Sequence, residues 1–426
     1  MMNTTILSAT KNSSSTVKPM FILGALFFIF GFVTWLNGTL IQYLKIACEL
    51  NNFQSFMVTF AFYISYFFMA LPSSWILQKT GYRKGMMIGL GVMAIGALVF
   101  IPAAETRTFS MFLTGLFIIG TGLSLLQTAS NPYVTIVGPL DSAARRISIM
   151  GICNKVAGTL APLILGAIVL SDADSLVDRL KAMDPVAKVA ELDLLAARVI
   201  LPYTLMAVTL FALSLFVLFS GLPEIEREPE VDSTGASPST KTSVFQFPQL
   251  VLGVIALFLY VGAEVIAGDS IGLYGQKQGI ALSIAKNFTA YTLTAMVVGY
   301  IIGILFIPKY LRQDKALAIS AVVGLVFTLL TMVTSGYVSV LFIALLGLAN
   351  ALMWPAIWPL AIEGLGKFTK TASALLIMGI AGGATLPLLY GALSDVSSIG
   401  SQNAYAILFP CYAFILWYAL AGHRRR

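Results

Sequence analysis

The chain has 426 residues, of which 58% are hydrophobic and only 11% are charged, and its formal net charge is +7. Soluble proteins carry about 25% charged residues, so a soluble protein of this composition would lack the polar surface that keeps it dissolved. The composition therefore excludes a large soluble helical protein and predicts an all-α membrane protein.

Long apolar stretches recur along the chain at lengths that suit membrane crossing. A hydrocarbon core about 30 Å thick needs roughly 20 apolar residues at about 1.5 Å rise per residue. Backbone groups in lipid must bond internally, so each stretch is expected to be helical. Twelve transmembrane helices are predicted, at residues 20–44, 56–78, 86–104, 109–136, 147–170, 199–220, 247–268, 288–308, 316–334, 337–362, 371–393 and 403–422.

A polar break between the sixth and seventh stretches divides the chain into two six-helix bundles, which is typical of a secondary transporter. The break, residues 221–246, is rich in Glu, Ser, Thr and Pro and is predicted to be a cytoplasmic linker. The predicted domains are an N-terminal tail (1–19), an N-terminal bundle (20–220), a C-terminal bundle (247–422) and a basic tail (423–426).

The two bundles share a sequence pattern. Residues 158–167 (GTLAPLILGA) match residues 383–392 (GATLPLLYGA), half a chain apart, with Gly, Pro, Leu, Gly and Ala in the same order. The match and the six-plus-six division predict parallel repeats about an axis normal to the membrane.

Charge sets the predicted orientation. Loops on the side of the two termini carry more than twice as many Lys and Arg as the opposite loops. By the positive-inside rule both termini are cytoplasmic, and the protein is expected in the inner (plasma) membrane of a bacterial-type cell. Basic loops against anionic lipid account for the net charge, so no nucleic-acid partner is expected. Three scattered cysteines imply no disulfide framework.

Polar residues at membrane depth are costly and usually face a cavity or a partner. In this chain they cluster on the first, fourth, fifth, seventh and tenth predicted helices. The clusters are Thr34, Trp35, Asn37 and Gln42; Gln127, Thr128, Ser130 and Asn131; Asn154 and Lys155; Tyr260 and Glu264, with Asp269 near the exit; and Asn350, Trp354 and Trp358, with Glu363 near the cytoplasmic end.

The amides among these residues suit a neutral sugar, because amide groups donate and accept hydrogen bonds as sugar hydroxyls do. A tryptophan face, from Trp35, Trp354 or Trp358, can stack on the C–H side of a sugar ring. Each residue also has a structural reading. Asn131 precedes Pro132 and can repair the backbone at a kink, and Trp35 can be a packing residue.

The two ionisable residues near mid-depth are candidates for coupling. Lys155 lies two turns inside the fifth helix, where a functional partner competes with snorkelling as an explanation. Glu264 is the carboxylate near mid-depth, with a structural ion pair as the alternative. The cavity or gate candidates are Trp35, Gln42, Asn350, Trp358 and Glu363, with Glu363 at the cytoplasmic gate.

Several segments together resemble the glucose/galactose branch of the fucose–galactose–glucose–proton symporter family, within the major facilitator superfamily. They are residues 27–38 (FFIFGFVTWLNG), 125–133 (LLQTASNPY), 154–158 (NKVAG), 260–265 (YVGAEV) and 353–361 (MWPAIWPLA). The resemblance implies two bundles that rock around a midplane site lined by the first, fourth, seventh and tenth helices.

One departure from the family pattern concerns the coupling ion. Fucose permeases carry an Asp in the first helix and a Glu in the fourth, and by resemblance Gly38 and Gln127 occupy those positions here. This loss of carboxylates places Na⁺ ahead of H⁺ as the expected co-transported ion. A Na⁺ site would use oxygen ligands near Asn37, Gln127, Thr128 and Asn131.

The sequence thus predicts a monomeric, cation-coupled symporter of a hexose, glucose or galactose first, with no cofactor. No nucleophile–base pair or metal-ligand cluster lies in the predicted helices, so an enzyme is not expected. The alternatives are another monosaccharide (N-acetylglucosamine or fucose) and a drug or metabolite exporter. The predicted substrate-binding residues are Asn37, Gln127, Asn131, Asn154, Trp354 and Glu264, and the predicted coupling residues are Glu264 and Lys155.

Overall fold

The structure, a computed structural model, describes residues 14–136, 143–222, 243–307, 310–365 and 368–425. These residues are almost entirely helical and contain no β-strand, which confirms the all-α class. Most of the predicted linker, residues 223–242, lies outside the described residues, as do residues 1–13 and 426 of the predicted tails.

The helices of the N-terminal half are α1 (Ser14–Trp35), α2 (Asn37–Ala47), α3 (Asn52–Leu98), α4 (Phe100–Glu105), α5 (Phe109–Ile136), α6 (Ala143–Val169), α7 (Ala173–Ala182), α8 (Pro185–Ala197) and α9 (Ile200–Phe219). Those of the C-terminal half are α10 (Pro248–Asp269), α11 (Ile271–Lys277), α12 (Leu282–Ala285), α13 (Phe288–Phe306), α14 (Gln313–Val333), α15 (Gly336–Asn350), α16 (Met353–Ile362), α17 (Thr369–Met378), α18 (Gly382–Asp395), α19 (Gly400–Asn403) and α20 (Leu408–Leu420).

Eleven helical segments among the described residues are long and apolar enough to cross a membrane. Ten of them each overlap one predicted span. The eleventh, Asn52–Glu105, has 54 residues and covers the two predicted spans 56–78 and 86–104. As one straight helix, at about 1.5 Å per residue, this segment would be roughly 80 Å long, far more than one bilayer crossing needs.

Helix α3 folds back on itself at Gly81. This residue has φ 78° and ψ 172°, a conformation that is essentially restricted to glycine. Before the turn, Phe62 packs against Gly120 of α5. After the turn, Gly89 packs against Gly122, only two residues further along α5. The two stretches of α3 therefore lie side by side along α5, as a hairpin of two helices.

The repeated sequence segments lie at corresponding places between the two halves. Gly158 of α6 packs on Leu293 of α13, and Gly383 of α18 packs on Tyr63 of α3. In each half, the helix that carries the repeated segment therefore packs against a helix of the other half. These two reciprocal contacts are the arrangement expected when a two-fold axis relates the halves.

A charged helical hairpin, α7 and α8, covers the end of α6. Asp172 forms an ion pair with Arg198 and another with Arg179 at 2.8 Å, and Arg179 also pairs with Glu191 at 2.7 Å. The hydrogen bond from Arg198 holds the pKa of the Asp172 carboxyl well below its usual value. The ionised network joins the start of α7 to α8 and to the residue that follows it, Arg198.

Replacing Gly81 with Ala is expected to destabilise the protein by about 1–3 kcal/mol, because an L-residue is strained at this φ and ψ. A lower melting temperature in detergent would show the effect. The matched control is Gly91→Ala in the second stretch of α3, where an added methyl meets only Ser214 Oγ at 3.9 Å. Equal melting temperatures for the two variants would contradict the assigned turn.

Candidate functional site

The two halves are fastened at one end by charged groups that cap helices of the opposite half. The Asp395 carboxylate, at the end of α18, accepts hydrogen bonds from the N–H groups of Asn52 (3.2 Å) and Phe53 (2.8 Å) at the start of α3. Lys286 donates to the carbonyl oxygens of Gly166 (3.3 Å) and Leu170 (2.6 Å) at the end of α6. Both charges match the helix dipole that they face. We call this region the closed end.

Close backbone approach also joins the halves at the closed end. Gly38 of α2 faces Thr289 of α13 so closely that a Cβ at position 38 would lie 2.4 Å from Thr289 Oγ1. Any larger side chain at position 38 would not fit here without a shift of α13. Nearby, Gln276 donates to Gln42 Oε1 at 3.2 Å. Gln42 therefore lies in the closed end, consistent with a gate position.

One further hydrogen bond at the closed end lies outside the membrane-spanning segments. The Asp174 carboxylate of α7 accepts from the Ser283 N–H of α12 at 3.1 Å. Hydrogen bonding to Ser283 lowers the pKa of Asp174. The bond therefore favours closure at neutral pH and is lost as the pH falls through that lowered pKa.

Hydrogen bonds and ion pairs join the two halves from the pair Lys155–Glu264 to the closed end. The interface between the halves is therefore shut at this end.

Lys155 and Glu264 form a buried ion pair between the halves. Lys155 Nζ, on α6, lies 2.6 Å from Glu264 Oε1, on α10, and the two side chains are only 10% and 9% exposed. Lys155 Nζ also lies 4.7 Å above the ring of Trp35, at a cation–π distance. The structure thus brings together three predicted residues from α1, α6 and α10.

Trp35 itself is buried rather than open to a cavity. Its ring lies against Gly158 of α6 and Gly268 of α10, where a Cβ at position 268 would come within 2.4 Å. Its indole Nε1 has no hydrogen-bond partner among the described residues. In this conformation Trp35 packs between the two halves beside the Lys155–Glu264 pair.

Aromatic rings of the C-terminal half lie directly below the ion pair, on the side away from the closed end. Tyr260 is one helical turn before Glu264 and shares its face of α10. Its ring centroid is 6.5 Å from that of Trp354, which stacks on Trp358 at 5.4 Å and an interplanar angle of 26°. Both tryptophans are partly exposed. They form an aromatic surface within about one turn of the buried charges.

Amide groups of the N-terminal half lie at the level of the ion pair and the aromatic rings. Gln127 Nε2 donates to the Tyr66 hydroxyl at 3.1 Å, and Tyr66 stacks on Tyr63, whose ring meets Gly383 across the interface. Asn154, next to Lys155, donates to the Phe27 carbonyl at 3.4 Å. Gln127, Asn131 and Asn154 are all partly exposed. Amides and aromatic rings on opposite halves can together bind a neutral ligand that carries many hydroxyl groups.

The other predicted residues lie elsewhere. Asn37 and Asn350 are fully buried, and Asn350 Oδ1 accepts from the Tyr412 hydroxyl at 3.0 Å within the C-terminal half. Glu363 is exposed at the end opposite the closed end. The Thr128 hydroxyl donates to Ser124 within its own helix at 2.8 Å, and none of the described hydrogen bonds joins Asn37 to Gln127.

Two residues that the sequence did not single out as site residues are prominent in the structure. Asp269 was predicted to lie just outside the span 247–268, but α10 includes it and only 1% of it is exposed. Tyr66 binds Gln127, and its signal in the sequence was weak because tyrosines are common in membrane helices. An acidic residue directly at the end of an apolar stretch was the available signal for Asp269.

Comparison with known proteins gives consistent matches over nearly the whole chain. The profile of the Major Facilitator Superfamily matches residues 23–387. The chain is 35% identical over 405 residues to the glucose/galactose transporter of Brucella abortus, covering 94% of this chain and 93% of that relative. It is 29% identical over 411 residues to the L-fucose-proton symporter of Escherichia coli, covering 96% and 93%. A crystal structure of the E. coli fucose:proton symporter matches with a TM-score of 0.73 at 27% identity, covering 95% and 98%.

Removing the Asp395 cap is expected to loosen the closed end. In a variant with the native cysteines replaced and Gln42→Cys as the reporter, Asp395→Ala should raise the rate of maleimide alkylation about fivefold or more. Loss of about 1 kcal/mol from the closed state corresponds to that factor.

The matched control is Asp178→Ala, which removes an exposed carboxylate of α7 that pairs with Lys181 at 3.5 Å. Alkylation that rises equally in both variants, or in neither, would contradict the capping role of Asp395.

Proposed function

Because this chain belongs to the major facilitator superfamily, and within it to the family of glucose/galactose transporters and fucose–proton symporters, we propose that it carries a hexose across the membrane together with a cation. Family membership confirms the resemblance seen in the sequence. It also confirms that the protein is a multi-pass membrane transporter and not an enzyme.

The proposed topology has twelve crossings, with both termini in the cytoplasm of the inner membrane. The hairpin at Gly81 supports it, because two crossings within Asn52–Glu105 raise eleven helical segments to twelve crossings. The excess of Lys and Arg in the loops on the terminal side supports the orientation. In this orientation the closed end is the outer end, and the chain works as a monomer of two rocking bundles.

The observation that carries the proposal is the buried ion pair Lys155–Glu264 between the bundles. An ion pair in a dry interface is weak support for stability, because desolvation offsets most of the attraction. A pair that must break each time the outer end opens has a functional use, since a hydroxylated substrate or a cation can replace either partner. We assign Glu264 and Lys155 to coupling, with Glu264 also in contact with the substrate.

The proposed substrate is a hexose, glucose or galactose first. Gln127, Asn131 and Asn154 supply amides, and Trp354 supplies a partly exposed aromatic face at the level of the ion pair. Asn37, which is buried here, would reach the substrate when the outer end opens. The glucose/galactose names of the relatives support this choice.

Two other substrate classes are weaker. Fucose is supported by the name of a relative, the L-fucose-proton symporter of E. coli. N-acetylglucosamine is also a monosaccharide with a hydroxylated ring. A drug or metabolite exporter has less support, because amide groups lie around the proposed site and the sugar-transporter relatives cover nearly the whole chain.

For the coupling ion we propose H⁺. Two of the relatives are named proton symporters, and buried carboxyl groups lie between the halves. The Na⁺ site near Asn37, Gln127, Thr128 and Asn131 stays a prediction. The Gln127 amide contacts Tyr66, and the neighbour of Asn37, Gly38, contacts Thr289 of the other half.

The test of the function is uptake of labelled glucose into proteoliposomes under an inward H⁺ gradient and, separately, an inward Na⁺ gradient. We expect accumulation with H⁺, competed by unlabelled galactose more strongly than by fucose or N-acetylglucosamine. Accumulation with Na⁺ alone would show that Na⁺, and not H⁺, is the coupling ion. Absence of hexose uptake under both gradients would refute the function.

Replacing Lys155 with Met is expected to abolish gradient-driven accumulation and to destabilise the protein by about 3–5 kcal/mol, because Glu264 is left buried without its partner. The double variant Lys155→Met/Glu264→Gln should recover most of the melting temperature but not the accumulation. Recovery of transport by the double variant would show that the pair is merely structural. The control Lys181→Met, in an exposed pair, should change neither quantity.

A further inference from the structure

Asp269 is a second buried carboxyl group between the halves. It is the last residue of α10, and only 1% of it is exposed. Its Oδ2 accepts a hydrogen bond from the Thr59 hydroxyl of α3 at 3.2 Å. Its other oxygen, Oδ1, is buried without a hydrogen-bond partner among the described residues. The carboxyl group thus accepts a hydrogen bond across the interface between the two halves, but only through one of its two oxygens.

Asp269 differs from Glu264, which lies five residues earlier on the same helix. Five residues rotate the direction of a helical side chain by about 140°, so Glu264 meets Lys155 on α6 while Asp269 meets α3. Glu264 has a cation at 2.6 Å. No Lys, Arg or His of the described chain lies within ion-pair distance of Asp269.

The groups around Asp269 do not compensate a negative charge. Glu264 lies close enough for its charge to disfavour a second carboxylate at Asp269, and Tyr63, one turn along α3 from Thr59, is a neutral phenol. The next residue, Ser270, forms its hydrogen bond with the Tyr405 hydroxyl at 2.7 Å and not with Asp269. On α13, Thr289 donates to the Gly268 carbonyl at 2.7 Å rather than to the carboxyl.

A buried, unpaired carboxylate is far less favourable than a neutral carboxylic acid with one unmade hydrogen bond, because only the carboxylate must also lose the hydration of a full charge. The closed end is therefore compatible with the acid and not with the anion. When the halves separate at this end, the bond between Thr59 and Asp269 breaks and the carboxyl meets water, where ionisation is not penalised.

We propose that Asp269 is a proton-dependent latch of the outer end, which closes only after this carboxyl has taken a proton from the outer solution. The step forms one O–H bond on the Asp269 carboxyl and removes one negative charge before burial, and the same proton returns to the outer solution when this end opens again. This inference rests on the proposed function, because that function places the closed end at the outer side and requires it to open. Lys155 and Glu264 then form the charge-balanced pair beside it.

The transport test uses Asp269→Asn, which keeps an oxygen for Thr59 but cannot bind a proton. We expect counterflow exchange of labelled glucose by the parent to slow severalfold as the pH of the outer solution is raised, and exchange by Asp269→Asn to keep its rate. Thr59→Val is the matched control, since it removes the hydrogen bond but keeps the carboxyl, and its exchange should keep the pH dependence of the parent.

Exchange by Asp269→Asn that slows with rising pH as much as exchange by the parent would overturn the proposal, and so would a parent that exchanges glucose at the same rate at every outer pH. In both cases the proposed sugar transport would stand. A parent without counterflow of any hexose would refute the proposed function itself.

A second measurement follows closure directly. Spin labels at Ala182 of α7 and Ser397 after α18, both exposed at the closed end, report the distance between the halves in a variant without native cysteines. On lowering the pH, the short-distance fraction should grow in the parent and stay high at every pH in Asp269→Asn. The hydrogen bond of Asp174 acts with the opposite sign, since acid weakens it. An Asp269→Asn variant with the same pH response as the parent would overturn the proposal.

Discussion

The buried ion pair between Lys155 and Glu264 is the interaction on which the arrangement of this transporter depends. The pair joins α6 to α10, and therefore one half of the molecule to the other, in an interface that excludes water. Ion pairs in such surroundings gain little net stability, because each charge has lost its hydration. The pair therefore joins the halves at little net gain in free energy, as suits the coupling role proposed for it. The aromatic and amide residues lie at this level of the structure.

The closed end follows from the repeat of the two halves. Corresponding glycine-containing segments of α6 and α18 each pack on a helix of the opposite half, Gly158 on Leu293 and Gly383 on Tyr63. At the ends of these helices, Lys286 caps α6 and Asp395 caps the start of α3, so one end of the interface is secured by two charges of opposite sign. Separation of the halves at this end would have to break both caps, so the closed end is held by a defined set of bonds.

Much of the fold was readable in the sequence, since helix length and apolar composition reflect local requirements of lipid and the match of 158–167 with 383–392 reflects the repeat of the two halves. The pairing of Lys155 with Glu264 was only partly predictable. Both residues were recognisable as costly at membrane depth, but 109 positions separate them and periodicity cannot show which helices adjoin. Asp269 was missed as a site residue because a span boundary read from hydropathy cannot tell the last buried residue from the first exposed one.

The sequence by itself determined the class of the protein, its apolar helices, its family and the polar residues that a bilayer would not tolerate without a reason. Each of these depends on the chemistry of short segments against lipid. Only the tertiary structure decided which of those polar residues meet. It placed Glu264 opposite a cation and Asp269 opposite a hydroxyl, and it buried Trp35 and Asn37 at the interface. The cost of a buried charge depends on its neighbours from other helices, and packing alone brings those neighbours together.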